Sequence, residues 1–276
     1  MTGMENNLSL KDNNKFKIVV IIILAILFVV AFILGNAKGT LQVGVQRIFE
    51  VIMNDDGSPE RMVIWNIRLP RMILAALVGA NLALSGAILQ GVMNNPLADP
   101  SIIGISSGAG LFAIIILVIM PQYQGLVPIA AFIGAMLAAI IIYILAWEGG
   151  IHPTRIILAG VAVSALFGAG ISGILVFYSD RVHGALTFMN GSLSSRSWPE
   201  VFTILPYTIV GFILVNILAE KLNILILGDD VARGLGLNVE ATRLGFTALA
   251  AFLAASAVSV VGLLGFVDLI VPHSIR

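Results

Sequence analysis

Gly104-Ile105-Ser106-Ser107-Gly108 has the G-x-S-x-G spacing that presents a nucleophilic serine in some hydrolases. Ser106 would need a histidine within hydrogen-bond reach to take its proton. The three histidines, His152, His183 and His273, all fall near the ends of apolar runs, so none faces that serine from mid-run. Small residues at this spacing also let two helices approach closely, and that reading carries more weight. Other signatures of chemistry are missing from the sequence. There is no H-E-x-x-H zinc pair, and no glycine is followed by lysine, so there is no G-x-x-x-x-G-K-[ST] phosphate loop. With no cysteine, thiolate metal sites, iron–sulfur clusters, disulfides and Cys nucleophiles are ruled out. Asp268 is the one acid in an apolar setting and Asp99 sits in a turn. That is too little titratable chemistry for a proton-coupled carrier.

The elements that hold these residues are read from composition first. Of 276 residues, 59% are hydrophobic and 11% charged, against roughly 25% charged in a soluble domain. Such a chain cannot cover itself with a polar shell, so its solvent is lipid. The 15 basic and 15 acidic residues leave no basic field for nucleic acid. Long continuous apolar runs without alternation predict helices, and crossing the hydrocarbon takes about 20 residues. Spans are expected at 18–34, 71–93, 102–120, 126–146, 156–178, 201–226 and 243–262, with an eighth opening at Gly265. The first could be a signal peptide after Lys11, Lys15 and Lys17. Its length and the sequence Gly35-Asn36-Ala37-Lys38, which offers no convincing cleavage site, favour a retained span.

Between Arg71 and Glu148 the only charge is Asp99, so those loops must be short. Asn94-Asn95-Pro96-Leu97-Ala98-Asp99-Pro100 is a two-proline joint whose second proline is expected to begin the next element. Pro121 and Pro128 bracket another turn, and Gly262 to Gly265 reads as a hairpin. Gly104 and Gly108, Gly168 and Ser172, and Ala169 and Gly173 place small residues on helix faces. Three polar segments remain. One holds the amphipathic stretch Val43 to Met53, the second runs over 179–200, and the third runs over 220–243. With the N-terminus inside, seven basic residues (Lys11, Lys15, Lys17, Arg155, Lys221, Arg233, Arg243) fall inside. Seven (Lys38, Arg47, Arg61, Arg68, Arg71, Arg181, Arg196) fall outside, with Arg276 unassigned, so charge does not orient the chain.

The segment 220–243 is long enough for two short helices. Val231, Leu235 and Leu237 could enter a partner's groove while Asp229, Asp230 and Arg233 form the rim. A solvated connector is the plainer reading of the same residues.

Arg68-Leu69-Pro70-Arg71, Val78-Gly79-Ala80, Leu84-Ser85-Gly86, Gln90, Asn95 to Pro100 and Gly104 to Gly110 follow one another in a fixed order. Leu158 to Ala162, Gly191-Ser192-Leu193 before Trp198, Leu227-Gly228 to Leu237, and Gly265-Phe266 to His273 continue it. Together they strongly resemble the FecCD family of permeases of type II ABC importers, from about residue 15 to the end. The resemblance implies an all-α membrane bundle with ten helices per subunit, paired as a homodimer or with a close paralogue. It also implies both termini in the cytoplasm of a bacterium or archaeon, two ATP-binding subunits inside, and an extracytoplasmic substrate-binding protein outside. Arg68 and Arg71 correspond to arginines that dock the binding protein, where a fixed guanidinium fork suits carboxylates. Gly228, Asp229, Asp230, Val231, Ala232, Arg233, Leu235 and Gly236 correspond to the ATPase coupling segment. Asn95, Leu97 and Thr154 correspond to the cytoplasmic gate. No cofactor or metal is implied.

Three positions depart from the family pattern: Phe188 stands for Trp, Asp268 for Gly, and Ser274 for Ile or a similar residue. The last motif also comes two to three helices before a family member would end, so a C-terminally truncated chain is expected. The expectation from sequence is therefore a single permease domain over 1–276, with about seven full spans and part of an eighth. Its cargo would be a ferric siderophore or similar chelate, with haem or cobalamin as the alternative and an intramembrane serine protease as the alternative of another class.

Overall fold

The computed structural model describes residues 14–275 except 38, 40, 42, 55, 102 and 149–152, and the side chains of 14–17, 274 and 275 are set aside. The expectations that fell on Lys11, Lys15, Lys17, Lys38, His152, Ser274 and Arg276 thus lie outside what is described. The helices are α1 (Asn14–Ala37), α2 (Val45–Met53), α3 (Pro59–Met93), α4 (Ile105–Ile119) and α5 (Val127–Ala146). They continue with α6 (Pro153–Phe177), α7 (Val182–Asn190), α8 (Trp198–Ile226), α9 (Asp229–Gly234), α10 (Val239–Val261) and α11 (Val267–Ile275). The chain forms two compact units, the first ending at Met72 and the second starting at Ile73.

Among the described residues six helices are long and apolar enough to cross a membrane. The seventh expected span, 102–120, is α4. Its 105–119 helix rises only about 22 Å, and its last turn, Ile115–Ile119, is wound as a π-helix. Pro100 does not open it, contrary to the expectation from sequence. Gly104 at φ 80° caps it instead, a left-handed conformation that glycine adopts without a Cβ clash. The span expected at 71–93 starts earlier, because Pro59 at the first turn and the Ser58 hydroxyl accepting from the Arg61 amide begin the helix twelve residues upstream.

In the second unit α10 is the central helix. Its long run of alanines, Ala250, Ala251, Ala254, Ala255 and Ala257, is buried on all sides. Small side chains allow this, because neighbouring helices can close in from every direction without voids. Leu253 packs against Gly211 of α8, and Ala251, Ala254 and Ala255 join Ala131, Ala135 and Ala139 of α5 in one apolar cluster. Polar groups hold the register. Asn81 on α3 donates to the Ser256 hydroxyl at 2.9 Å, and the Ser85 hydroxyl donates to the Ala250 carbonyl at 2.8 Å, all buried. Hydrogen bonds like these help bind helices where lipid removes the hydrophobic drive.

The small-residue faces divide. Gly108 of α4 and Gly134 of α5 meet reciprocally, each lying against the other's carbonyl oxygen. The G-x-S-x-G run is therefore a helix contact. The Ser107 hydroxyl donates to the Gly104 carbonyl at 2.8 Å, and His183 and His273 are exposed. Gly168 and Gly173 on α6, by contrast, face open space. The segment 179–200 folds back as α7 and ends on α10. The Phe188 carbonyl accepts from the Gly191 and Leu263 amides, and the Ser192 amide donates to the Val261 carbonyl at 2.8 Å. Gly191 and Gly262 lie against this backbone with φ of 65° and 87°. Phe188, where the family pattern has Trp, is buried in that joint.

Candidate coupling and docking sites

The segment after α8 is shorter in structure than expected. Residues 220–226 finish α8, so only one short helix, α9, fills the connection to α10. Gly228 at φ 102° and Gly236 at φ 82° make the two reversals on either side of it, both in the left-handed half of backbone space. Asn238 then caps α10 by accepting from the Ala241 amide at 3.0 Å.

Two of the residues read as rim are engaged within the chain. Asp229 receives both terminal nitrogens of Arg243, at 2.7 and 3.3 Å. Arg243 is 2% exposed, at the first turn of α10. A forked guanidinium on a carboxylate fixes direction as well as distance, so it locks the start of α9 to α10. Arg233 pairs with Glu240 at 2.6 Å, an exposed pair that contributes little by itself but repeats the same link at the other end of α9. Asp230 stays exposed.

Ala232 also reads differently in structure. It is fully buried in a cluster with Leu225, Val239 and Phe246, and its amide and carbonyl are both bonded inward, to the Gly228 carbonyl and the Leu237 amide. It therefore seats α9 on the bundle, and a partner does not reach it. Val231 on the helix and Leu235 at its C-cap remain exposed. Arg243 was the residue sequence reasoning missed. A lone arginine at the foot of an apolar span, fourteen residues from an aspartate, is a weak signal of a pair before the fold brings them together.

Arg68 and Arg71 also separate. Arg68 is 7% exposed. Its guanidinium donates to the carbonyls of Asn36 at 2.7 Å and Leu41 at 2.5 Å, with Ala37 at 3.5 Å. Those carbonyls lie at and beyond the last turn of α1, which has no intrahelical donors for them. Arg68 is spent as a cap and does not present a free fork, in contrast to the sequence expectation. Gly39 lies directly against it, and any side chain there would displace the guanidinium. Arg71 is half-buried, and its Nε has no hydrogen-bond partner among the described residues.

At the other joint, Asn95 Oδ1 accepts from the Leu97 amide at 2.9 Å, and Asp99 Oδ1 accepts from the Ser101 amide and hydroxyl at 2.6 and 2.5 Å. These local turns fix the loop and leave Leu97 pointing outward, 63% exposed. Thr154 is exposed at the start of α6 and shares no hydrogen bond with Asn95 or Leu97 among the described residues.

A helical bundle with a rigidly mounted short helix between two spans has close counterparts. Residues 23–276 match the FecCD transport family. The chain belongs to the FecCD transport family. It is 40% identical to the Fe(3+)-citrate import system permease protein YfmE of Bacillus subtilis (strain 168), over 95% of this chain and 79% of that protein. It is 39% identical to the hemin transport system permease protein HmuU of Yersinia pestis, over 91% of this chain and 76% of that one. A solved structure of an inward-facing metal-chelate type ABC transporter superposes with a TM-score of 0.82 at 26% identity, covering 92% of this chain and 80% of that chain. This FecCD chain is thus a multi-pass permease subunit of the cytoplasmic membrane, and the all-helical membrane fold read from its sequence holds. The protease alternative gives way to a helix contact between Gly108 and Gly134.

Proposed function

We propose that this permease carries a ferric chelate of the siderophore kind inward, driven by two separate ATP-binding subunits that grip α9. The observation that carries this reading is the mounting of α9. Its apolar residues Val231 and Leu235 face outward, while Asp229–Arg243 and buried Ala232 fix its other side to the bundle. Apolar side chains on a helix so fixed form a stiff handle, suited to passing a push from outside the lipid into the spans.

The passage itself would lie between two copies of the permease, or between this chain and a close paralogue. The contrast between two open helix faces supports this. α8 exposes Phe202, Ile209, Phe212, Ile213 and Ile217, large groups suited to lipid. α6 exposes Ala162, Ala165, Ala169 and Ser172 at helical spacing, with Leu158, Val161, Leu166 and Val176 around them. Small residues on an open membrane face suit another protein surface or a lumen better than lipid. Leu97 and Thr154 would stand at its inner mouth, with Asn95 holding the loop. A single transmembrane domain comprising both compact units is part of this proposal.

The binding protein would dock outside through Arg71. Reversing Arg71 to Glu should weaken docking of the binding protein through like-charge repulsion, an effect that shrinks as salt rises. Arg68→Glu should instead lower the yield of folded protein, because it strips the carbonyls beyond α1 of their donor. Surface plasmon resonance on nanodisc-embedded protein and size-exclusion profiles separate the two. Unchanged docking by Arg71→Glu removes that residue from the site.

Ferric citrate is the first cargo to test, because the 40% identical relative is a Fe(3+)-citrate permease. The permease, its ATPase and its binding protein would be reconstituted in proteoliposomes with radiolabelled ferric citrate, a ferric hydroxamate, haem and cobalamin. ATP-dependent accumulation of a ferric chelate supports the reading. Accumulation of haem or cobalamin alone overturns its cargo half, and uptake without ATP that collapses with a protonophore overturns its power source.

A further inference from the structure

The amphipathic stretch noted in the sequence folds as α2, and its two apolar faces have different fates. Ile48 and Val51 are buried against Val43 and Ile64. Val45, Phe49 and Met53, at four-residue intervals, form a second apolar stripe that is 46%, 58% and 83% exposed. The rest of the helix is clamped by polar groups. Arg47 bridges Glu50 at 3.2 Å and Asp56 at 2.5 Å, and Arg61 donates to the carbonyls of Val51 and Asn54 at the end of α2 while lying 5.2 Å over the Trp65 ring. Hydrogen bonds from the Ser58 hydroxyl and amide, with Arg47, draw the Asp56 carboxyl down to about 2, so the clamp stays charged at any working pH. The stripe is therefore held outward in a fixed direction.

We propose that α2 is an interfacial membrane helix, whose Val45–Phe49–Met53 stripe lies in the boundary between headgroups and acyl chains at the end of the first span. Continuity decides the occupant. α1 is apolar from Ile18 to Leu34, long enough to cross the hydrocarbon, and mostly exposed within its own unit, as suits a helix that meets lipid. α2 begins eight residues after α1 ends, and the next span begins at Pro59, so α2 is tethered at both ends within a few residues of the bilayer. Exposed Leu41 continues the apolar surface between them. An apolar stripe of Val, Phe and Met beside a Trp and its covering arginine has the makeup of a helix lying in the interface plane. Charge adds nothing to the attraction, since Arg47 and Arg61 are outnumbered by Glu50, Asp56 and Glu60. Binding is hydrophobic insertion and does not depend on anionic lipid.

The chain has no cysteine, so single cysteines can be placed without background. Phe49→Cys, Met53→Cys and Glu50→Cys would each carry a nitroxide in full-length protein in phosphatidylcholine nanodiscs, with Arg47 still held by Asp56 when Glu50 is replaced. Positions 49 and 53 should meet oxygen several-fold more than a water-soluble nickel chelate, and position 50, on the polar side of the stripe, should show the reverse. The pattern should persist with phosphatidylglycerol added and at high salt. Equal nickel access at all three positions overturns the proposal. So does immobilisation of the label at 49 only when the binding protein is added, which would make the stripe a protein-docking face. Because one label is on the larger apolar residue and another on the more exposed one, a folding defect of Phe49→Cys leaves Met53→Cys to decide.

Discussion

Val231→Glu combined with Leu235→Glu should abolish association with the ATP-binding subunit and leave the permease folded. Both side chains are exposed, so the folded state loses little, within about 0.5 kcal/mol for surface changes. A partner groove, however, would have to bury two carboxylates where it expects apolar groups. An anchor of this kind is worth about 2 kcal/mol or more, roughly a 30-fold loss of affinity. The measurement is co-purification of the tagged ATPase together with ATP hydrolysis stimulated by the loaded binding protein. Ala232→Leu provides the contrast. Its methyl group is enclosed by Leu225, Val239 and Phe246, so the larger side chain strains the bundle by about 1–3 kcal/mol and lowers thermal stability in detergent. If the double glutamate variant couples normally, α9 is only a connector.

Gly108→Leu should be among the most damaging single changes within the spans. A Cβ at Gly108 would run into the Gly134 carbonyl and the Ala138 methyl, and Gly134 meets Gly108 in the same way. A flexible side chain could turn aside, but a helix backbone cannot. Even Gly108→Ala should cost about 1–3 kcal/mol, and leucine should leave little monodisperse protein in fluorescence-detected size exclusion. At Gly168 on α6 an added Cβ meets nothing among the described residues, so Gly168→Leu should leave the subunit intact, showing its effect only on uptake. Equal damage from both glycines would mean that the α4–α5 contact is not a close one.

These two glycines show how far the sequence can be read. The long apolar runs gave α1, α5, α6, α8 and α10 within a few residues, because burial in lipid imposes one length and one kind of helix. The pattern of motifs gave the family, and residues 23–276 match it. Spacing of small residues could not say which glycines touch another helix, since Gly108 and Gly168 look alike until α4 and α6 are placed. The same limit applies to charge. Arg68, Asp229 and Arg233 were read as surface groups because a single sequence shows no partner, yet each is engaged across 7 to 32 residues of chain. α4 came out short because a π turn and a glycine cap leave no trace in hydropathy.

The buried bonds between α3 and α10 limit how the subunit can change shape. Sliding one helix past the other by a single turn, about 5.4 Å, would bring Phe252 or Val260 to the place of Ser256 and strand the Asn81 amide, where water cannot replace the lost hydroxyl. These two helices are therefore tied into one rigid block. Under the coupling proposed above, a push on α9 would enter this block through Arg243, whose guanidinium holds Asp229 at the start of α9. The block would then move as a whole, and α6 would have room to follow it on its open alanine side.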